Sequence, residues 1–226
     1  MSGASVVARR IGREAEPIAI IDNFAPNAEA LRRFAAQQRF APAGRHYPGI
    51  KAALPAEYLQ AQGPLIGTIL RDVFGVAGKV SILEADFSMV TALPASLSIA
   101  QRLPHVDALE PGRVALVHYL VPGGTDGTAF YRHRATGYET VDTMRSETYF
   151  ASLQRDLVGG AVPESYITGD TALFEQTAAL PGLYNRALLY RSRMLHSGAI
   201  AADATLSDDP ATGRLTITGF FSTSAA

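Results

Sequence analysis

The sequence predicts an α+β fold, with a double-stranded β-helix (jelly-roll) core and N-terminal helices packed on its sheet. Three observations support this prediction. Two helix-like segments precede residue 79, and about eight short strand-like segments follow it. The length of 226 residues suits one domain, because barrel and sandwich folds commonly reach this size undivided. No internal repeat or linker divides the sequence, so we expect a single domain over residues 1–226.

The segment before residue 79 is expected to supply the outer layer of this domain. Residues 1–16 show no strong apolar pattern and are expected to be a flexible N-terminus. The β-branched run at 17–22 predicts a strand, and the helix formers at 28–38 predict a first helix. Apolar residues over 55–74 recur at helical spacing and predict a second helix, with Gly63-Pro64 as a candidate break or kink.

Residues 79–222 are expected to form the β-helix core. The near-continuous apolar run at 113–121 is the clearest strand, because Pro-Gly pairs bound it on both sides. Further strands are predicted at residues 79–91, 97–101, 128–134, 171–177, 186–194 and 214–222. Only a short glycine-rich connection separates 113–121 from 128–134, so these two strands should be antiparallel neighbours. Residues 140–158 predict a helical insertion, which together with the loop 159–166 is a candidate lid.

Composition and charge exclude several classes of function. The chain has no cysteine, so disulfides, cysteine nucleophiles and iron–sulfur clusters are excluded, and metal ligands must come from His, Asp and Glu. A net charge of −1 provides no basic field for nucleic acid or an anionic membrane. No apolar run approaches the roughly 18 residues of a membrane span, and the N-terminus lacks the apolar region of a signal peptide. We therefore expect a cytoplasmic protein with neither a nucleic-acid nor a membrane partner.

Three residues, His105, Asp107 and His196, form a candidate metal site. His105 and Asp107 are two positions apart, so their side chains project to the same side of an extended segment. His196 is distant in sequence, just past the predicted strand at 186–194, and the fold must bring it in. Two imidazoles and one carboxylate on one face of a metal leave further positions open, which suits non-haem Fe(II) and its activation of O₂. Arg214, at the start of the last strand, could hold an organic carboxylate through a planar two-point contact.

The segments around these residues resemble the core of the prolyl-hydroxylase-like Fe(II)/2-oxoglutarate-dependent oxygenases. The resemblance covers roughly residues 100–222 and rests on four runs. They are RVALVHYLV from Arg113, GTAF from Gly127, NRALLY leading from Asn185 to His196-Ser-Gly, and RLTITGFF from Arg214. The connection between His196 and Arg214 is longer than is common in that family, so Arg191 or Arg193 is an alternative to Arg214.

The resemblance implies that the three candidate ligands bind iron and that Arg214 binds the distal carboxylate of 2-oxoglutarate. Thr216, on the same strand face as Arg214, would help to hold this co-substrate, and Tyr119 is either a further contact or a packed interior residue. The implied cofactors are Fe(II), 2-oxoglutarate and O₂. The implied reaction hydroxylates or otherwise oxidises an amino acid, peptide or small metabolite and releases succinate and CO₂. Asp107 favours hydroxylation or desaturation, since related iron halogenases lack this carboxylate.

Other polar residues of the predicted core admit two interpretations. Arg132 and Arg134 share one strand face, where they would contact a substrate carboxylate or phosphate. In the alternative, they pair with acids such as Glu139 or Asp142. His118 lies in the apolar run of its strand, which favours a packed, hydrogen-bonded core histidine over a metal ligand.

Two further function classes stay open at this point. A cupin-like metal enzyme that does not use 2-oxoglutarate would keep the three metal ligands but need no basic residue at position 214. A non-catalytic jelly-roll binding module would carry an empty or degenerate site. Metal retention and the effect of changing Arg214 distinguish these classes from an oxygenase.

Overall fold

The computed structural model describes residues 3–44, 46–124, 126–160 and 162–223. Within these ranges the chain forms eleven β-strands and three α-helices. In chain order they are β1 (Ser5–Ile11), β2 (Glu16–Asp22), α1 (Ala28–Ala35), β3 (Ala41–Pro42), β4 (Gly49–Ala53), α2 (Ala56–Phe74), β5 (Val80–Val90), β6 (Arg113–Tyr119), β7 (Gly127–His133), α3 (Ser146–Val158), β8 (Phe174–Leu180), β9 (Ala187–Arg191), β10 (His196–Ala199) and β11 (Leu215–Thr223). The predicted α+β class is confirmed.

The strands form two antiparallel sheets. The large sheet has eight strands in the order β1-β2-β9-β6-β11-β5-β4-β3, and the small sheet has three in the order β10-β7-β8. Strands β1 and β2 form one edge of the large sheet, and β4 and β3 form the other. The segment before residue 79 thus contributes four strands, and the sheet extends beyond the predicted core at 79–222.

The outer face of the large sheet is covered by α1 and α2, as the sequence predicts. Alternate strand residues project to this face, where Leu116 of β6 joins Leu31 of α1 and Leu70 of α2 in one buried core. Each such side chain contributes about 2 kcal/mol of transfer free energy. Pro64 lies inside α2 and does not end it, so of the two alternatives for Gly63-Pro64 a break is excluded.

The inner face of the large sheet packs against the small sheet. Tyr190 of β9 and Phe130 of β7 meet edge to face, with ring centroids 5.2 Å apart. On the opposite side of the small sheet, Tyr149 of α3 packs with Tyr131 and Phe174. The layers therefore run from α1 and α2 through the large sheet and the small sheet to α3.

The N-terminus is a strand, which corrects the expectation of a flexible segment at residues 1–16. Strand β1 pairs with β2 along its whole length, and residues 1 and 2 lie outside the described residues. The turn between the strands is fixed by Glu139, whose carboxylate accepts the backbone N–H groups of Arg13 at 2.9 Å and Glu14 at 3.0 Å. Arg145 donates to the Glu14 carboxylate at 2.7 Å. Because Glu139 lies 126 positions after Arg13, no local sequence pattern indicates that this turn is held in place.

One predicted strand and one predicted strand pairing in the core are also wrong. Residues 97–101 belong to a region of two short 3-10 helices, Pro94–Ser96 and Ile99–Arg102. The segments predicted at 113–121 and 128–134 are strands β6 and β7, but they lie in different sheets. Every residue of β7 is buried, so this strand needs neighbours on both edges, which β10 and β8 provide. A short glycine-rich connection can join strands of two facing sheets as readily as it can join the two strands of a hairpin.

Two further expectations concern helices: the insertion at 140–158 and the absence of a membrane span. The predicted insertion at 140–158 is helical only from Ser146, because Thr140 and Met194 form an isolated β-bridge. None of the helices in the described ranges has the length and apolar character needed to cross a membrane.

Candidate functional site

His105, Asp107 and His196 meet at one place in the structure. One ligand atom from each lies within 4.8 Å of the other two. His105 Nε2 is 3.6 Å from Asp107 Oδ1, and His196 Nε2 is 3.5 Å from Asp107 Oδ2. Over the described ranges, no other group of His, Asp and Glu side chains is placed in this way. The fold therefore assembles the three residues that the sequence analysis proposed as metal ligands.

Backbone hydrogen bonds fix how these side chains approach one another. His105 and His196 exchange N–H···O bonds of 2.9 Å in both directions, so the two residues lie directly opposite each other. The Asp107 N–H donates to the Ser192 carbonyl at 2.8 Å. The His105–Asp107 segment is therefore bound to the segment that carries His196.

His196 is held neutral, with its Nε2 lone pair facing Asp107. Burial lowers the pKa of His196 to about 4, against the opposing effect of Asp107. Its Nδ1 lies 2.8 Å from the Met194 carbonyl oxygen. Since a carbonyl only accepts hydrogen bonds, Nδ1 carries the proton and Nε2 does not. The Tyr190 ring packs edge-on against the imidazole, with centroids 4.7 Å apart, and holds its orientation.

Asp107 presents a carboxylate oxygen without a hydrogen-bond donor. Its Oδ2 is buried and has no hydrogen-bond partner among the described residues, although buried polar atoms normally have one. Burial alone would raise the pKa of Asp107, but the nearby His196 and His105 outweigh burial and hold this pKa below its usual value. A divalent cation between the carboxylate and the imidazoles would supply the missing partner. The donor set and its orientation by the backbone therefore fit Fe(II).

A cavity of about 640 Å³ opens onto the three residues. Its wall combines residues of β5, β6 and β11 in the large sheet with residues of the small sheet. The His105 side chain is 52% exposed, whereas those of Asp107 and His196 are 14% and 6% exposed. A metal held here would have protein on one side and open cavity on the other, and the volume suits small-molecule ligands.

Arg214 lies on the wall of the same cavity and has no acidic partner in the described part of the chain. Its Nη2 donates to the Gly127 carbonyl at 3.0 Å, and its Nε is buried without a partner. Residue 127 must be glycine, since a Cβ there would lie 1.8 Å from the Leu180 carbonyl oxygen. The guanidinium is thus oriented by a carbonyl while its charge stays available for an anion.

Tyr47 lies beside Arg214 and was not among the residues selected from the sequence. It lines the cavity from the loop before β4, together with its neighbour His46. Burial raises the pKa of Tyr47, while the charge of Arg214 and the hydroxyls of Thr216 and Ser88 oppose this effect. The only signal in the sequence is an aromatic residue in a loop bounded by glycine and proline. Three groups that can bind an anion or orient a donor, Arg214, Tyr47 and Thr216, therefore line the same cavity.

Tyr119 is buried behind Arg214, and the cavity wall formed by the described residues does not include it. Its hydroxyl lies 2.6 Å from Thr128 Oγ1, and its ring centroid lies 5.8 Å from the guanidinium carbon of Arg214. This ring supports the arginine through a cation–π contact. Tyr119 is thus placed to position Arg214.

Arg132 and Arg134 lie on the small sheet, outside the cavity wall that the described residues form. Arg132 pairs with Glu175 and lies 3.9 Å from Glu139. Arg134 pairs with Asp170 at 2.8 Å and lies 3.7 Å from Glu175. Of the two interpretations, the structure shows pairing with acids.

Arg191 and Arg193, the alternatives to Arg214, are also bound elsewhere. Both pair with Glu16, at 3.3 Å and 2.6 Å respectively. The residues described on the cavity wall include neither of them. Tyr166, at the end of the predicted lid, does line the cavity, and its hydroxyl donates to the Ala92 carbonyl at 2.9 Å.

Three solved structures align with most of this chain at low sequence identity. AviO1 from Streptomyces viridochromogenes Tue57 is 15% identical with a TM-score of 0.46, over 96% of this chain and 92% of that chain. A novel N-substituted L-amino acid dioxygenase from Burkholderia ambifaria AMMD is 11% identical with a TM-score of 0.43, over 98% of this chain and 95% of that chain. EvdMO1 is 14% identical with a TM-score of 0.30, over 99% of this chain and 56% of that chain. No curated protein matches the chain. A family of unknown function, DUF6445, matches residues 2–221, and the chain belongs to this family.

Proposed function

We propose that this protein is an Fe(II)- and 2-oxoglutarate-dependent oxygenase that hydroxylates or otherwise oxidises a small molecule or peptide. One observation carries the proposal. A single cavity contains both the group of His105, Asp107 and His196 and the guanidinium of Arg214, which has no acidic partner among the described residues. A metal site alone fits many enzymes. A carboxylate anchor in the same cavity favours a keto acid that binds the metal at one end and needs a cation at the other.

The three ligands would hold iron from one side, through two imidazole nitrogens and one carboxylate oxygen. Bound Fe(II) with 2-oxoglutarate supplies O₂-dependent oxidation with release of succinate and CO₂. The protein keeps Nε2 of His196 unprotonated, because burial keeps the imidazole neutral and its one proton is on Nδ1, which donates to the Met194 carbonyl. It also keeps Asp107 ionised at neutral pH. Both conditions are needed, since metal ligands must be deprotonated.

The distal carboxylate of 2-oxoglutarate would bind Arg214 and Tyr47. The Thr216 hydroxyl donates to the Ser88 carbonyl at 3.0 Å, so its remaining lone pairs only accept hydrogen bonds. Toward Thr216 the Tyr47 phenol can therefore only donate, so its one proton points to Thr216 in the free protein and would turn to the carboxylate when 2-oxoglutarate binds. In this arrangement Arg214 supplies charge, Tyr47 supplies a donor, and Thr216 orients that donor.

We assign the two facing antiparallel sheets to the double-stranded β-helix core that such oxygenases have. Two features support this assignment. His196 begins β10 of the small sheet, and Arg214 directly precedes β11 of the large sheet. His196 and Arg214 thus come from opposite sheets and face one cavity.

Succinate formation tests the proposed function. Purified protein is incubated with 2-oxoglutarate, Fe(II), ascorbate and O₂ without added substrate, and Asp107→Ala serves as the control. We expect succinate above the control, since such oxygenases turn over slowly without their prime substrate. If no succinate forms and 2-oxoglutarate also fails to bind the metal-loaded protein, the proposal is wrong. A cupin-like enzyme would instead show turnover that Arg214→Ala leaves unchanged, and a non-catalytic module would retain neither Fe(II) nor Mn(II).

A further inference from the structure

Arg102 is a second guanidinium on the cavity wall. It is the last residue of the 3-10 helix Ile99–Arg102, three positions before His105. Its Nη2 donates to the Leu97 carbonyl at 2.8 Å, and its Nη1 lies 3.5 Å from the Pro163 carbonyl oxygen. Its Nε is buried without a hydrogen-bond partner, and no acidic side chain of the described ranges pairs with it. The side chain is therefore oriented by carbonyls while its charge has no counterpart.

The other charged groups of the cavity would be balanced once the metal and co-substrate of the proposed function are bound. Lys51 pairs with Glu84, and Asp107 faces the two histidines. In the proposed function, Asp107 and the metal-bound carboxylate of 2-oxoglutarate balance Fe(II), and Arg214 balances the distal carboxylate. One positive charge then remains, at Arg102. The negative charge that balances it must come from a molecule that enters the cavity.

We propose that Arg102 binds a carboxylate of the prime substrate, which is an organic acid with an apolar body; this inference rests on the proposed function. The Nε–H and one Nη–H of a guanidinium form a planar pair that matches the two oxygens of a carboxylate. A single guanidinium balances one negative charge, which favours a carboxylate over a phosphate dianion. The apolar body would lie against Val106, Ile167 and Phe220 of the cavity wall.

The short segment that carries Arg102 also positions the substrate relative to the metal. Ser98 caps the N-terminus of the 3-10 helix through reciprocal hydrogen bonds with Gln101, so the start of this helix is fixed and Arg102 follows one residue after Gln101. Three residues span at most about 10 Å, which limits the separation of the Arg102 and His105 backbones. A carboxylate held at Arg102 therefore keeps the rest of a small acid within reach of the metal ligands.

Binding of paired probes tests this inference without turnover. The protein is loaded with redox-inert Zn(II) and saturating 2-oxoglutarate, so that Arg214 is occupied. The probes are 3-phenylpropanoate and 4-methylpentanoate, each compared with its primary amide, and phenyl phosphate; calorimetry gives their affinities. Wild-type protein should bind the acids about tenfold more tightly than the amides, as expected for a charged hydrogen-bonded pair. Arg102→Gln should bind acid and amide equally and keep the wild-type affinity for 2-oxoglutarate.

Two further variants complete the design. Arg155→Gln, at an exposed position on α3, should behave as wild type in every titration. Arg102→Lys keeps the charge but loses the two-point contact, so it should retain part of the acid preference. If Arg102→Gln does not fold, a full wild-type preference in Arg102→Lys overturns the inference and a reduced one supports it.

Four outcomes would overturn the inference. They are equal affinity of wild-type protein for every acid and its amide, an undiminished acid preference in Arg102→Gln, loss of 2-oxoglutarate binding in Arg102→Gln, and tighter binding of phenyl phosphate than of the acids. Failure of the proposed function is separate, because it appears as absence of 2-oxoglutarate binding in wild-type protein. In that case the same acid and amide titrations with Zn(II) alone still decide the role of Arg102.

Discussion

His196 Nε2 and Asp107 Oδ2 face each other at 3.5 Å, and neither atom carries a proton at neutral pH. The imidazole proton is on Nδ1, which donates to the Met194 carbonyl. The pKa of Asp107 lies below its usual value, and its Oδ2 has no hydrogen-bond donor in the described part of the chain. Two lone pairs thus face each other with no proton between them. A cation bound there would have a ligand atom on each side.

Replacing Asp107 by Ala should abolish tight metal binding. Loss of a residue that only supports a ligand costs roughly 10–100-fold in metal affinity, so loss of a ligand should cost about 100-fold or more. Mn(II) titration followed by electron paramagnetic resonance measures this affinity. Asp203→Ala, at an exposed acid in the connection between β10 and β11, is the matched control and should bind Mn(II) as wild type does. Equal affinities of the two variants would contradict the assignment.

Arg214→Ala should weaken 2-oxoglutarate binding by about 10–100-fold while leaving Mn(II) affinity unchanged, since a hydrogen-bonded charge pair is removed. Titration of the Mn(II)-loaded variant with 2-oxoglutarate measures the effect. Arg191→Ala provides the comparison, because Arg191 is bound to Glu16 and should affect stability but not co-substrate affinity. A larger loss of affinity in Arg191→Ala than in Arg214→Ala would show that the anchor is misassigned.

Tyr47→Phe should raise the dissociation constant of 2-oxoglutarate about fivefold, the effect of removing one hydrogen bond while keeping the ring. Tyr166→Phe is matched to it, because Tyr166 lines the same cavity but donates its proton to the Ala92 carbonyl. This second variant should keep the wild-type constant. The same titration of Mn(II)-loaded protein measures both variants, and an unchanged constant for Tyr47→Phe would remove this residue from the co-substrate site.

The group of His105, Asp107 and His196 could be proposed from the sequence because local pattern and family resemblance pointed to the same residues. The i, i+2 spacing placed His105 and Asp107 on one side of an extended segment, and His196 followed the strand predicted at 186–194, which is β9 at 187–191 in the structure. Strand alternation likewise placed Tyr119 and His118 on opposite faces of β6, and they belong to opposite sides of the large sheet. Each of these relationships concerns residues that are close together in the sequence.

Relationships between distant segments were not predictable from local pattern. Tyr47 reaches the cavity only because β4 pairs with β5, and no periodicity encodes that pairing. The turn of the N-terminal hairpin is likewise held by a distant residue, Glu139, whose carboxylate binds the backbone of Arg13 and Glu14. Arg132 and Arg134 left two interpretations open because their partners, Glu175 and Asp170, come from the region of β8.

His118 shows how this fold holds a buried histidine that is not a metal ligand. Its side chain is fully buried, with Nε2 3.0 Å from Asn185 Oδ1 and Nδ1 3.1 Å from the Tyr58 hydroxyl. The Asn185 amide donates to the Ala25 carbonyl, so its Oδ1 is an acceptor and Nε2 of His118 carries the proton. Burial lowers the pKa of His118 to about 4. The predicted packed, hydrogen-bonded core histidine is confirmed.

Acidification should therefore destabilise the protein partly through His118. As the pH falls from about 6.5 to about 4, the unfolded chain binds a proton at this imidazole and the folded chain does not. The free energy of unfolding should fall over this window by up to about 3 kcal/mol from His118, whereas above it the imidazole is neutral in both states. Urea unfolding across the window should give a flatter profile for His118→Gln than for wild type. If that variant does not fold, nitrogen NMR of the wild-type imidazole replaces it, and a charged His118 in the folded protein near about pH 5.5 would contradict the prediction.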